Sequence, residues 1–220
     1  MNRFTNTTIF GQGNVFYRSR CAQGGAAIGA DYNSIITVEG GTFFGNEAGI
    51  EVQKSGQKGK QSGRVLWTRG EISVLGGHCS NNSAKNGGVI QGSLNSTVVV
   101  EGGTFENNVA ENGGVIYVVE DGSLAFNGGL LQGHSASNGG GAFFAESGAD
   151  IEIPGGTFIS SKADFGGFLY KAGEGNAACS GATVLQHEGV DGGAIYAVDG
   201  ANLEWECHLR ENSALIGPAM

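Results

Sequence analysis

Short stretches of alternating apolar and polar residues recur along this chain at nearly constant spacing. In the stretch before Phe105, for example, the apolar residues Val98 and Val100 stand seven and five positions upstream of the Phe. The position between them carries either a polar or an apolar residue, depending on the copy of the stretch. Alternation with a period of two indicates a β-strand with one buried face. A second short strand should carry the Phe, and a third should follow the pair Gly113-Gly114, which gives three short strands in each unit.

Two landmarks keep the same period. Counterparts of Phe105 are Phe16, Phe43, Cys79, Leu131, Phe158, Val184 and Leu209, and from Cys79 onward the steps are 25 to 27 residues. Gly-Gly pairs end at Gly25, Gly88, Gly114, Gly141, Gly167 and Gly193, and the last four steps are 26 or 27 residues. A repeated unit of strands without a helical period predicts an all-β fold, a single-stranded parallel β-helix of about seven to eight coils of about 26 residues.

The composition agrees with one β-helical domain that spans residues 1–220. Glycine makes up 42 of the 220 residues, and its fixed positions in the repeat indicate tight turns. The apolar share of 40% allows a core and argues against disorder. Because the period is already running at Asn6 and stops in mid-unit after Ala219, we expect the chain to be a segment of a longer solenoid.

Charge and hydropathy argue against two classes of partner. The net charge of −9 argues against nucleic acid. No run of about 18 apolar residues is present, so no membrane-spanning helix is predicted. Neither end has a polar cap, so we expect exposed strand edges, with either weak end-to-end self-association or protection of the ends by loops.

An internal polar ladder is predicted three positions after the Phe landmark. Asparagine occupies this position at Asn46, Asn82, Asn108 and Asn212, and Ser19, His134, Ser161 and His187 occupy it in other coils. In a β-helix such residues stack and satisfy backbone groups at a turn. We therefore interpret both histidines as turn residues rather than metal ligands, and no metal site is predicted.

One unit is ten residues too long, and its excess is basic. The segment 53–70 is interpreted as a loop insertion that contains Lys54, Lys58, Lys60, Arg64 and Arg69 and no acidic residue. Its content of Gly, Ser, Lys and Gln is typical of a flexible, solvated loop. The alternative is a basic finger that binds an acidic or sulfated glycan.

A row of aromatic residues is predicted on the outer face of the third strand. Tyr117, Phe144, Tyr170 and Tyr196 each follow a large apolar residue that should face the core, so alternation directs the rings outward. A strand spacing of about 4.8 Å would bring the rings into contact. The rings either stabilise the sheet by stacking or form a platform that binds sugar rings or a partner surface.

Signatures of catalytic, cofactor and metal sites are missing from the sequence. The four cysteines, Cys21, Cys79, Cys179 and Cys207, form no C-x-x-C pair, which argues against zinc. Cys79 and Cys179 take core positions and are interpreted as buried free thiols. Carbohydrate lyases and hydrolases on this fold need paired acids, or acids together with Arg or Lys, on one exposed face. Only Glu152 is acidic at the exposed middle position of the first strand in the regular coils, so no such pair is visible.

Two tetrapeptides resemble the motifs of the chlamydial polymorphic outer membrane protein repeat. The first stands as Gly87-Gly88-Val89-Ile90 and Gly113-Gly114-Val115-Ile116, and the second as Phe43 to Asn46 and Phe105 to Asn108. The resemblance implies a right-handed β-helix at the cell surface or outside the cell, with a non-enzymatic role in adhesion, binding or display. Its partner would be a glycan or a protein. The alternative class is a carbohydrate-active β-helix enzyme, either a polysaccharide lyase or a glycoside hydrolase.

Overall fold

The computed structural model describes residues 7–9, 15–17, 20–21, 24–29, 35–48 and 63–216, and these ranges form short strands, with no helix, wound into eight coils. The first two coils contain β1 (Thr7–Ile9), β2 (Val15–Tyr17), β3 (Arg20–Cys21), β4 (Gly24–Gly29), β5 (Ile35–Val38), β6 (Thr42–Phe44), β7 (Glu47–Ala48) and β8 (Gly63–Thr68). The third and fourth contain β9 (Glu71–Val74), β10 (His78–Ser80), β11 (Ile90–Gly92), β12 (Thr97–Val100), β13 (Thr104–Glu106), β14 (Val109–Asn112) and β15 (Ile116–Val118).

The fifth and sixth coils contain β16 (Ser123–Phe126), β17 (Leu130–Gln132), β18 (Ser135–Gly139), β19 (Phe143–Ala145), β20 (Asp150–Ile153), β21 (Thr157–Ile159), β22 (Lys162–Phe165) and β23 (Leu169–Ala172). The seventh and eighth contain β24 (Asn176–Cys179), β25 (Thr183–Leu185), β26 (Glu188–Asp191), β27 (Ile195–Val198), β28 (Asn202–Trp205), β29 (His208–Arg210) and β30 (Ser213–Ile216).

In the described part of the chain, strands of successive coils pair in parallel and stack into four large sheets, and β3 and β7 pair as a separate two-stranded sheet. Sheet 1 is β1-β5-β9-β12-β16-β20-β24-β28, and sheet 2 is β2-β6-β10-β13-β17-β21-β25-β29. Sheet 3 is β14-β18-β22-β26-β30, and sheet 4 is β4-β8-β11-β15-β19-β23-β27. Val98, Leu124, Ile151 and Ala177 are successive register partners 26 or 27 residues apart. This stacking confirms the predicted parallel β-helix.

The fourth to the seventh coils each contain four strands, one more than the three predicted. The additional strand lies in sheet 3, between the polar ladder and the Gly-Gly pair, and covers Val109–Asn112 in the fourth coil. Its sequence alternation is too short to be recognised as a separate strand. Its backbone nevertheless pairs with the next coil, where Val109 and Ser135 are partners.

The core fills the interior of the coils with the residues that the alternation predicted. Val98 and Val100 are fully buried, whereas Val99 between them is half-buried. Large rings dominate the middle coils: Phe126, Phe143, Phe158 and Phe168 have neighbouring ring centroids 4.8 to 5.6 Å apart. Such tilted contacts add to the stabilisation from burying apolar surface.

The polar ladder is present as predicted. The Asn46 N–H donates to Asn82 Oδ1 at 3.0 Å, and Asn82 Nδ2 donates to the Phe43 carbonyl at 3.0 Å. His187 uses its ring in the same way, with Nδ1 accepting from the Ser161 N–H at 3.1 Å and Nε2 facing the Phe158 carbonyl at 3.2 Å. Asn82 and His187 therefore satisfy backbone groups that the turn would leave unpaired.

A disulfide between Cys179 and Cys207 joins the seventh coil to the eighth, with Cα atoms 5.5 Å apart. The interpretation of Cys179 as a free thiol is therefore wrong. The two cysteines stand at different positions of their repeats, so their approach depends on how one coil lies over the next. Cys79 is a buried free thiol, and burial raises its pKa to about 12.

Reduction of this disulfide is expected to lower the free energy of unfolding by about 3 kcal/mol, because the bond closes a loop of 28 residues and restricts the unfolded chain. Urea denaturation with and without dithiothreitol measures the change. In the Cys207→Ala variant the reductant should have no effect. An equal effect of dithiothreitol on that variant would contradict the prediction.

The eighth coil is less covered than the others. Leu203, Trp205 and Leu209 pack against the core but are only half-buried, and Leu215 is 84% exposed. The predicted end-to-end self-association through strand edges stays a prediction.

Candidate binding surfaces

The predicted aromatic row is present as a stack of rings. The centroids of Tyr117, Phe144, Tyr170 and Tyr196 follow one another at 5.0, 4.4 and 5.7 Å, with interplanar angles of 14°, 4° and 19°. Leu169, which precedes Tyr170, belongs to the main core, whereas Tyr117 and Phe144 form a separate cluster. The rings thus lie on the other side of sheet 4 from the core, as the alternation indicated.

These rings are more covered than an open platform would be. Tyr117 is 9% exposed and Phe144 is 5% exposed, and Tyr170 and Tyr196 are half-buried. Gly139 leaves room for the stack, since a β-carbon there would lie 3.0 Å from Tyr170 and 3.1 Å from Phe144. Because the stacking uses the ring faces, a ligand would meet the ring edges of Tyr170 and Tyr196. Binding at this surface stays a prediction.

The phenol groups of Tyr117 and Tyr170 both have a raised pKa. Burial raises the pKa of Tyr117, and the charges of Glu146 and Glu120 raise it further. The Tyr117 hydroxyl lies 3.5 Å from Glu146 Oε1, to which it can donate. Burial is also the main cause of the raised pKa of Tyr170. Both hydroxyls therefore keep their protons at neutral pH and are able to donate a hydrogen bond.

Replacing Tyr170 by serine is expected to cost about 1–2 kcal/mol of stability, because two ring contacts are lost. Leu169→Ala should cost more, about 3 kcal/mol, because it opens a cavity in the core. Urea denaturation of both variants tests this order. A larger loss for Tyr170→Ser than for Leu169→Ala would show that the stack, rather than the core, dominates this coil.

A second surface is an open groove of about 500 Å³ along the outer face of sheet 3. Small residues of successive coils line it at Ala136, Ala163, Gly189 and Ala214, and larger residues line it at Lys162, Asp164, Glu188, Val190 and Leu215. Ala163, Gly189 and Ala214 are successive register partners, and Ala136 stands at the same position of the coil before them. Because coils stack along the axis of the solenoid, the groove runs in that direction.

The groove carries polar groups and adjoins the ring stack. Lys162 Nζ lies 2.7 Å from Glu188 Oε2, and both side chains are more than half exposed, so this ion pair contributes little to stability. Asp164 is exposed and precedes Phe165, whose ring centroid lies 5.0 Å from that of Tyr196. The groove and the stack therefore meet at the corner between sheets 3 and 4.

The predicted basic loop is placed only in part. Lys54, Lys58 and Lys60 lie outside the described residues. Arg64 belongs to β8, which pairs with β4 and β11, so the end of the segment 53–70 is a regular strand of sheet 4 rather than a loop. Arg69 follows that strand and is half-buried. A basic finger can therefore comprise only the part of the segment before Gly63.

Lys171 is a buried cation that the sequence pattern did not reveal. Its side chain is fully buried, and Nζ donates to the carbonyls of Ala172, Gly173 and Glu174 at 3.3, 3.1 and 2.8 Å. Burial lowers its pKa, and Asp150 opposes that shift. The ammonium group binds three carbonyls of the turn between sheets 4 and 1 and so stabilises that turn. In the neighbouring coils the register partners of Lys171 are Ala145 and Ala197.

Among the described residues, polar pairs elsewhere on the surface form no recognisable catalytic arrangement. His78 Nε2 lies 3.0 Å from Glu106 Oε2 on the outer face of sheet 2, a contact that the sequence analysis missed. In the part of the chain that the structure describes, no group of three or more His, Cys, Asp or Glu side chains could hold a metal ion. No helix within that part is long and apolar enough to cross a membrane.

The sequence profile of the Chlamydia polymorphic membrane protein repeat matches residues 102–119. This stretch runs from the Gly pair before Phe105, through β13, β14 and the second Gly-Gly pair, to the end of β15. The predicted resemblance is therefore confirmed for one coil, and the matched repeat is that of a surface protein family. No curated protein and no solved structure matches the chain.

Proposed function

We propose that this chain is a non-enzymatic rod of a cell-surface or extracellular protein and that its outer faces bind a partner in adhesion. The repeat match in the fourth coil, whose geometry recurs from the third coil to the eighth, is the observation that carries the proposal. The Cys179–Cys207 disulfide adds support, since such bonds persist in oxidising compartments.

The corner between sheets 3 and 4 is the binding surface that the geometry favours. It combines the open groove with the edges of Tyr170 and Tyr196, and it offers both charged and aromatic groups. Polar groups beside aromatic rings suit glycans and mixed protein surfaces alike. The partner is therefore a glycan or a protein at a surface.

A glycan array and whole-cell binding, run with a reducing-sugar release assay, test this function. Binding without sugar release supports adhesion, and sugar release would support the enzyme alternative. The double variant Asp164→Ala/Tyr196→Ser should weaken binding at least about tenfold. Glu152→Ala, on the outer face of sheet 1, is the matched control and should leave binding unchanged. Equal binding by all three proteins would place the site elsewhere.

The basic segment is a second candidate contact. If Lys54, Lys58 and Lys60 bind an acidic glycan, affinity should fall as salt concentration rises, because exposed charges are screened. Changing all three to glutamine should weaken binding to a sulfated glycan and leave the melting temperature unchanged. Unchanged affinity at all salt concentrations would identify the segment as a solvated loop.

A further inference from the structure

Four members of the polar ladder make two kinds of bond toward the preceding coil: Asn82, Asn108, His187 and Asn212. In the first kind, the side chain accepts a hydrogen bond from the backbone N–H of the ladder residue in the preceding coil. In the second kind, the side chain donates to the carbonyl of the residue that stands three positions before that ladder residue. Asn108 Oδ1 accepts from the Asn82 N–H at 3.0 Å, and Asn108 Nδ2 donates to the Cys79 carbonyl at 2.9 Å. His187 makes the equivalent pair of contacts one coil after Ser161. His134 makes only the first kind, since its Nδ1 accepts from the Asn108 N–H at 3.1 Å and its Nε2 has no partner.

Ser161 interrupts this arrangement between the fifth and sixth coils. It occupies the ladder position and is fully buried, yet its Oγ has no hydrogen-bond partner. By the rule of the ladder it would accept from the His134 N–H and donate to the Leu131 carbonyl. Since Oγ has no partner, it makes neither of these bonds.

The difference in size between serine and asparagine explains the interruption. A serine side chain has two heavy atoms fewer than asparagine, so its hydroxyl stops short of the groups that Asn82 and Asn108 reach in their coils. Two heavy atoms correspond roughly to one water molecule, which occupies about 30 Å³ in the liquid. Buried polar groups that lack a protein partner are generally satisfied by such internal water.

We propose that one internal water molecule completes the ladder at Ser161. It accepts the His134 N–H, donates to the Leu131 carbonyl and bonds to Ser161 Oγ, which gives it the roughly three partners typical of buried water. The three residues that would bind it are buried: Ser161 and Leu131 are 0% exposed, and His134 is 1% exposed. The water is therefore sealed from solvent and exchanges slowly. With it the backbone N–H of every ladder residue from Asn46 to His187 has an acceptor.

Magnetic relaxation dispersion of water nuclei, which counts long-lived internal waters, tests the proposal directly. The wild-type chain should show one more such water than Ser161→Asn, whose carboxamide takes its place. Ser137→Asn, at an exposed position, is the matched control and should not change the count. An equal count for the wild type and Ser161→Asn would overturn the proposal.

Ser161→Ala gives an independent test by the sign of its effect. If the water is present, loss of the hydroxyl removes one of its partners, and the melting temperature should fall by about 2–4 °C. If the space is dry, removal of an unsatisfied buried hydroxyl should raise the melting temperature. A rise would overturn the proposal, even where Ser161→Asn fails to fold.

Discussion

Replacing Gly141 by alanine is expected to lower the free energy of unfolding by about 4 kcal/mol or more. A β-carbon on Gly141 would overlap the carbonyl oxygen of Gly167 in the next coil and would lie 2.8 Å from the backbone N and O of Lys162. These are backbone atoms, so no side-chain rotation relieves the overlap, and the coils would have to separate. The Gly141 N–H donates to the Gly166 carbonyl at 3.1 Å, and this bond would also be strained.

Gly102→Ala is the matched control for this prediction. Gly102 also stands in a Gly pair, yet the nearest atom to its β-carbon would be the Leu75 carbonyl oxygen at 3.5 Å, an ordinary contact. The variant should change stability by less than about 1 kcal/mol. Urea denaturation followed by far-UV circular dichroism measures both changes. Similar stability of the two variants would contradict the prediction.

Acidification from pH 7 to pH 5 is expected to cost about 4 kcal/mol of stability through two buried histidines. Burial lowers the pKa of His134 to about 3 and that of His187 to about 4, against an ordinary value near 6.5. Between these values the unfolded chain binds protons that the folded chain excludes. The contribution of the two neutral histidines to the free energy of unfolding is therefore fully present above about pH 6.5. It falls as the pH drops toward the pKa values of the folded state, and at pH 5 the loss is about 2 kcal/mol for each histidine.

Asparagine variants separate this effect from other titrations. Asn82 and Asn108 show that asparagine fits the ladder, so His134→Asn/His187→Asn should fold at pH 7 and lose most of the dependence between pH 7 and pH 5. His208→Asn, at an exposed position, is the control for loss of a histidine and should keep the dependence. The test is urea denaturation at each pH. A double variant as sensitive to acid as the wild type would assign the dependence to other groups.

The binding surfaces could be predicted only in part. Alternation placed Tyr170 opposite Leu169, because neighbouring residues in a strand point to opposite faces. It could not show that the rings stack face to face, since this depends on the absence of a side chain at Gly139. The groove of sheet 3 was not predicted at all, because its strand was not recognised and its lining comes from four successive coils.

The sequence by itself determined the period, the direction of the core residues and the position of the ladder. In a solenoid, residues one period apart become register neighbours, so a pattern that repeats along the chain also repeats through space. Val98 therefore stacks on Leu124, and Asn82 bonds to Asn108. The same logic explains why a Gly-Gly pair recurs at the same place in six of the coils.

Only the tertiary structure decided the contacts between different positions of the repeat. Cys179 and Cys207 stand at unlike positions and meet because one turn lies over another. Lys171 is buried because the carbonyls of one irregular turn converge on its ammonium group. Such contacts depend on the shape of corners and on which side chains are small. A periodic pattern does not encode these features, because it specifies which face a residue occupies and not what lies beside it across a corner.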